Sequence, residues 1–172
     1  MTLNTETELK DVFTDDALRG EASEITAEKL RDFVTSVMAV GGVMYGSGQP
    51  IAMTTSWAPL TAFTASSDSK GIAEDFVTGR YTIMPGADGL FAIDVSLGIY
   101  SDYAGWIEIA VTRDGSLTPF RKKRTMTAGR DGVFDMPVGL SLEQGDRVGV
   151  AVRGSGNATV TMTDGTFRVI RI

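Results

Sequence analysis

Asp88-Gly89-Leu90-Phe91-Ala92-Ile93-Asp94-Val95-Ser96-Leu97-Gly98 is the stretch that decides the fold. Phe91, Ile93, Val95 and Leu97 alternate with Ala92, Asp94, Ser96 and Gly98. A period of two puts one set on one side of a β-strand and the other set on its opposite side. Asp88-Gly89 in front is a tight-turn signal. The reading is therefore a turn followed by a strand with one face in a core and one face outside.

The same pattern recurs on both sides. Ile107, Ile109 and Val111 alternate with Trp106, Glu108, Ala110 and Thr112. Val148, Val150 and Val152 alternate with Arg147, Gly149, Ala151 and Arg153. Val160 and Met162 stand between threonines, and Phe167 and Val169 oppose Arg168, Ile170 and Ile172. Turn signals separate the runs: Pro85-Gly86, Asp114-Gly115, Asp131-Gly132, Gly145-Asp146, Gly154-Ser155-Gly156-Asn157 and Asp164-Gly165. Strands at this spacing, without helix-sized gaps, predict an antiparallel sandwich. Twenty glycines in 172 residues fit a turn-rich chain.

Upstream, the period changes to 3.6. Thr5 and Glu8 form a capping box, and Leu9, Val12 and Phe13 share a face. Thr26 is an N-cap, with Ile25 and Leu30 spaced as a hydrophobic staple. Leu30, Phe33, Val34, Val37 and Met38 then recur as one apolar stripe. Gly41-Gly42 reads as the helix stop and Gly46-Ser47-Gly48-Gln49-Pro50 as a linker. The expected division is a helical arm over residues 1–45 and a β-sandwich over 46–172. So narrow a stripe cannot make its own core, so Leu30, Phe33, Val34 and Val37 are expected to dock on another surface.

Charge is unevenly placed. Residues 1–45 hold nine acids against four bases, a balance of −5, and the remainder thirteen against twelve, a balance of −1. An acidic chain argues against nucleic acid and anionic membrane as partners. The sequence has no Cys and no His. That excludes Ser-His-Asp and Cys-His catalysis, thiolate metal sites and disulfides. No basic region followed by an apolar run opens the chain, so no signal peptide is expected, and no run is long enough for a membrane helix.

Four local patterns in order carry a resemblance. They are Gly79-Arg80-Tyr81-Thr82-Ile83, then Asp88 to Val95, then Ile107 to Gly115, then Leu142-Glu143-Gln144-Gly145-Asp146-Arg147-Val148-Gly149-Val150. Together they resemble the jelly roll of the tumour-necrosis-factor and complement globular-head domains, over roughly residues 60–172. The chain departs from that family at its end, Thr166-Phe167-Arg168-Val169-Ile170-Arg171-Ile172, where a Gly- and aromatic-rich strand is usual. Ile25 to Val37 looks like a leader found in tailed-phage structural proteins. These resemblances imply a virion protein: a capsid decoration (cement) protein or head fibre, a homotrimer whose partner is the major capsid protein or another virion protein. They imply a protein made in the host cytoplasm and located in the virion. The alternative they leave open is a receptor- or glycan-binding tail-fibre or spike module.

The candidate sites each have a plainer reading. Tyr100, Tyr103 and Trp106 cluster around Gly105, as subunit packing or loop anchoring, as an aromatic platform for a glycan or a protein loop, or as ordinary core. Asp94 and Glu108 are a carboxylate pair in principle, but a sheet needs a polar face in any case. Asp88, Asp114, Asp131, Asp146 and Asp164 suit tight turns and lack a calcium-loop pattern. Arg121-Lys122-Lys123-Arg124 is an anion-binding run, a charged edge strand, or a run that meets the acidic arm of a neighbouring subunit. The expectation is an all-β jelly-roll sandwich with a short helical arm, no enzyme, no metal and no cofactor.

Overall fold

The predicted alternation becomes burial. Phe91, Val95 and Leu97 are fully enclosed, and Ala92, Asp94 and Ser96 are not. The computed structural model describes residues 40–67 and 69–172. Its strands, in chain order, are β1 (Gly41–Gly46), β2 (Gln49–Met53), β3 (Ala58–Pro59), β4 (Ala65–Ser66), β5 (Ile72–Asp75) and β6 (Arg80–Ile83). They continue with β7 (Gly89–Ser101), β8 (Gly105–Arg113), β9 (Ser116–Met126), β10 (Arg130–Leu142), β11 (Arg147–Gly154) and β12 (Ala158–Arg171).

Two antiparallel sheets result. Sheet A runs β10-β7-β12-β1-β4, with β2 also on β12. Sheet B runs β5-β6-β11-β8-β9, with β3 also on β11. From β7 on, the chain winds as a doubled hairpin: β7 pairs with β10 in one sheet and β8 with β11 in the other. That winding is the jelly roll. Inward residues of both sheets form one core, bridged by Phe167 of sheet A. Its ring centroid lies 5.3 Å from Tyr81 of sheet B and 5.9 Å from Phe63. Each such enclosed side chain contributes roughly 1.5–3 kcal/mol of transfer free energy.

Both prolines inside long strands lie where a missing N–H does least harm. Pro137 is in β10 and Pro119 in β9, which are edges of their sheets.

The sandwich begins earlier than the expected boundary at Gly46. Gly41-Gly42 is no helix stop but the start of β1, whose residues 41–46 pair with Ile170 through Gly165 of β12. Val40 and Met44 point inward with the period of two, but the glycines between them hide it. Nor is 46–50 a free linker. β1 and β2 lie one after the other along β12, whose register shifts between Met162 and Asp164. Gly46 makes that step against the Ala62 carbonyl and Met162, where a Cβ would lie 2.8 Å from the Met162 methyl. The divergent C-terminal strand is central, between β7 and β1. The helical arm and its stripe of Leu30, Phe33, Val34 and Val37 lie outside the described residues.

Candidate functional site

The outward side of sheet A carries its apolar residues among polar ones. Five of its residues are large exposed hydrophobics: Tyr45 on β1, Leu90 on β7, Val133 on β10, and Ile170 and Ile172 on and beyond β12. Register gathers Leu90, Ile170 and Ile172 at one end of the sheet, whereas Tyr45 stands in the row of Thr166, Ser96 and Asp135 and Val133 in the row of Gly98 and Asp164. Gly41, Ile170, Ala92 and Gly139 form one cross-strand row. Val43, Arg168, Asp94 and Pro137 form the next. The small residues of the first row leave an open depression of about 580 Å³ walled by Ile170, Ile172, Pro137 and Val138. Asp94 and Arg168 stand opposite one another at its rim.

Sheet B presents a different outer side. One row reads Arg153, Glu108, Lys123 across β11, β8 and β9, and Trp57, just before β3, continues it. Arg153 sends its Nε and one terminal nitrogen to a single Glu108 oxygen, at 2.8 and 2.6 Å. The same guanidinium carbon lies 4.6 Å from the Trp57 ring centroid and 5.6 Å from that of Trp106. The Lys123 ammonium sits 4.0 Å over Trp106, and the Arg121 guanidinium 5.9 Å from Trp57. Arg121 and Trp57 approach each other across the row of Ala110 and Ala151, both buried. Beside it, Arg80 runs over Gly149, where a Cβ would lie 2.8 Å from its Cγ. Small residues thus make room for cations to lie flat against the sheet, anchored by the chain's two tryptophans.

Strand alternation divides the basic run 121–124. Arg121 and Lys123 join the tryptophan face. Lys122 and Arg124 turn the other way and donate to backbone oxygens of β10: Nζ to Asp135 O at 2.7 Å and a guanidinium nitrogen to Val133 O at 2.8 Å. They cap the open edge of β10, so the run is a charged edge strand in one half and an exposed cationic pair in the other.

The aromatic cluster does not form one platform. Tyr100 lies on the outward side of sheet A, Trp106 on that of sheet B. A hydrogen bond with Asp102, and that carboxylate's charge, push the Tyr100 phenol up. Tyr103 locks the β7–β8 turn instead, its Oη 3.3 Å from the Trp106 carbonyl and 3.2 Å from Ser155 Oγ. Asp94 and Glu108 also belong to opposite outer faces, separated by two sheets about 10 Å apart, so they cannot flank one glycosidic bond. The turn aspartates accept from backbone: Asp88 from Gln144 N, Asp114 from Arg147 N and Asp146 from Glu143 N. Arg113 also reaches Asp146 at 2.7 Å. Among the described residues, no group of three or more acids gathers as a metal site.

Trp57 and Arg153 were not legible as site residues. Neither stands in a motif, and only the β3–β11 and β11–β8 registers bring them to Trp106.

No protein-family model and no curated protein matches the chain. Solved structures do match, at 13% identity each. One is an Eiger TNF from S. frugiperda, with a TM-score of 0.61, covering 78% of this chain and 93% of that one. Another is the globular domain of zebrafish complement 1qA, at 0.58, covering 77% and 97%. A third is murine APRIL, at 0.56, covering 77% and 99%. The likeness establishes the fold: the β-domain is a jelly roll of the tumour-necrosis-factor and complement globular-head type.

Proposed function

We propose that this chain is a structural virion protein, a capsid decoration or head-fibre protein that assembles as a homotrimer through the outer face of sheet A. The observation that carries the assembly is the joint exposure of Leu90, Ile170 and Ile172 beside the hollow lined by Ala92, Gly139 and Pro137. An exposed apolar patch beside a hollow marks an interaction site. A ring of three copies, each contacting the next in the same way, buries it without leaving an open end. The virion part rests on the likeness of residues 25–37 to phage leaders. In this reading Leu30, Phe33, Val34 and Val37 dock on the major capsid protein, and the trimer reinforces the shell by contact.

The role is binding rather than catalysis. His and Cys are absent from the sequence, and the Asp94 and Glu108 carboxylates are split between opposite faces. A receptor- or glycan-binding module is less well supported, because cations already lie over Trp106 where a sugar ring would stack.

Light scattering on the full chain, followed by co-sedimentation with capsids lacking it, tests the proposal. A trimer mass and saturable attachment are expected, with attachment weakened at least about tenfold in Phe33→Asp. A monomer that never co-sediments overturns it.

A further inference from the structure

We infer that the cationic face of sheet B is a docking site for the acidic segment at residues 6–16 of this same chain, from its own or an adjacent copy. The face and the segment are complementary. Arg153 is neutralised by Glu108 and Arg113 by Asp146. Arg121 and Lys123 face no carboxylate at ion-pair distance among the described residues, and their charged groups lie toward the Trp57 and Trp106 rings. They stand two residues apart on one side of β9, hence roughly 7 Å apart along the strand. Residues 6–16 hold Glu6, Glu8, Asp11, Asp15 and Asp16 against the single base Lys10. In the helix predicted for this segment, Glu8, Asp11 and Asp15 recur at i, i+3 and i+7, a stripe with neighbours about 5–6 Å apart. Its carboxylates therefore meet the two cations at matching intervals.

The receptor side is already ordered. Stacking on Trp57 and Trp106 fixes two long side chains that would otherwise lose rotamer freedom on pairing. Length is no obstacle. The 23 residues between positions 16 and 40 span up to about 75 Å when extended. The inference does not depend on the virion reading, since it concerns only this chain.

Zero-length carbodiimide coupling of the full-length protein, which joins a lysine amine to a carboxylate in contact with it, is the test. Peptide mapping should find Lys123 joined to one or more of Glu6, Glu8, Asp11, Asp15 and Asp16. The yield should fall about fivefold or more in Arg121→Glu, which leaves Lys123 in place. It should also collapse at about 1 M salt, where screening acts over roughly 3 Å. Lys123→Arg should abolish the adduct while circular dichroism stays unchanged. A mixture of isotope-labelled and unlabelled protein assigns the donor segment to the same or a second copy. Absence of any adduct between Lys123 and residues 6–16 overturns the inference. So does an adduct indifferent to Arg121→Glu and salt, or coupling of Lys123 only to an added acidic protein.

Discussion

The two sheets bury the same kind of side chain inward and differ almost completely outward. Sheet A shows Leu90, Ile170 and Ile172 beside small residues, with Asp94 and Arg168 at the rim. Sheet B shows Arg80, Arg121, Lys123 and Arg153 lying over small residues and tryptophans. Both use glycine or alanine rows to shape the surface, toward opposite ends. On sheet A the rows leave a hollow shaped to receive an apolar side chain. On sheet B they are filled from within by cations, which closes the face to apolar contact and leaves it attractive to anions. A two-faced strand specifies only that the outer side need not be apolar; which chemistry it carries decides what it meets.

The comparison breaks most severely through the core that both sheets share. Phe167→Ala removes the ring that touches both Tyr81 and Phe63, and should cost about 3–5 kcal/mol in urea unfolding. A loss under about 1 kcal/mol would mean the sheets are not held together there. Next comes the difference between the faces. Ile170→Arg should convert the proposed homotrimer to monomers in light scattering while the melting temperature of the monomer holds. Lys123→Glu, its counterpart on sheet B, should leave the mass unchanged. If both variants dissociate, or neither does, the assignment of assembly to sheet A fails.

The fold was legible because burial on one side of a strand writes itself as alternation. Phe91 to Leu97, Ile107 to Val111 and Val148 to Val152 all turned out as inward sets. β1 escaped notice because Gly41, Gly42 and Gly46 supply no side chain to alternate, and what remained resembled the end of a helix. The sites were less legible. Tyr100 and Trp106 are six positions apart, but the β7–β8 turn sends them to opposite faces. Trp57 and Trp106 are 49 positions apart and share Arg153. Only cross-strand register makes or breaks such neighbours, and no local pattern encodes it.

The Arg153–Glu108 pair sharpens what anchors the sheet B face. Its side chains are 31% and 12% exposed, so the bond is only partly screened. Glu108→Gln keeps the shape and removes the charge, and should cost about 1–2 kcal/mol. It should also shift the emission of Trp57 and Trp106 as Arg153 is released. Unchanged emission would show that the tryptophans hold Arg153 without the carboxylate.

The smallest effect appears only in alkali. Tyr81 is fully buried on β6, and among the described residues its Oη lacks a partner in hydrogen-bonding geometry. Burial first, and the Glu74 carboxylate second, push its phenol well above the ordinary range; the Ser69 hydroxyl opposes them in part. Above pH ~10 the unfolded chain therefore releases this proton while the folded chain keeps it. The folded state then binds more protons than the unfolded one, so stability falls as pH rises, by up to about 1.4 kcal/mol per pH unit from this group. Below pH ~10 both states are protonated and the group is silent. Tyr81→Phe removes the titration and the unpaired hydroxyl together. It should match the parent within about 1 kcal/mol at neutral pH and become relatively more stable from pH ~10 upward. Urea midpoints across that range decide it: parallel curves for parent and variant would mean that water reaches the Tyr81 hydroxyl and that this part of the shared core is not sealed.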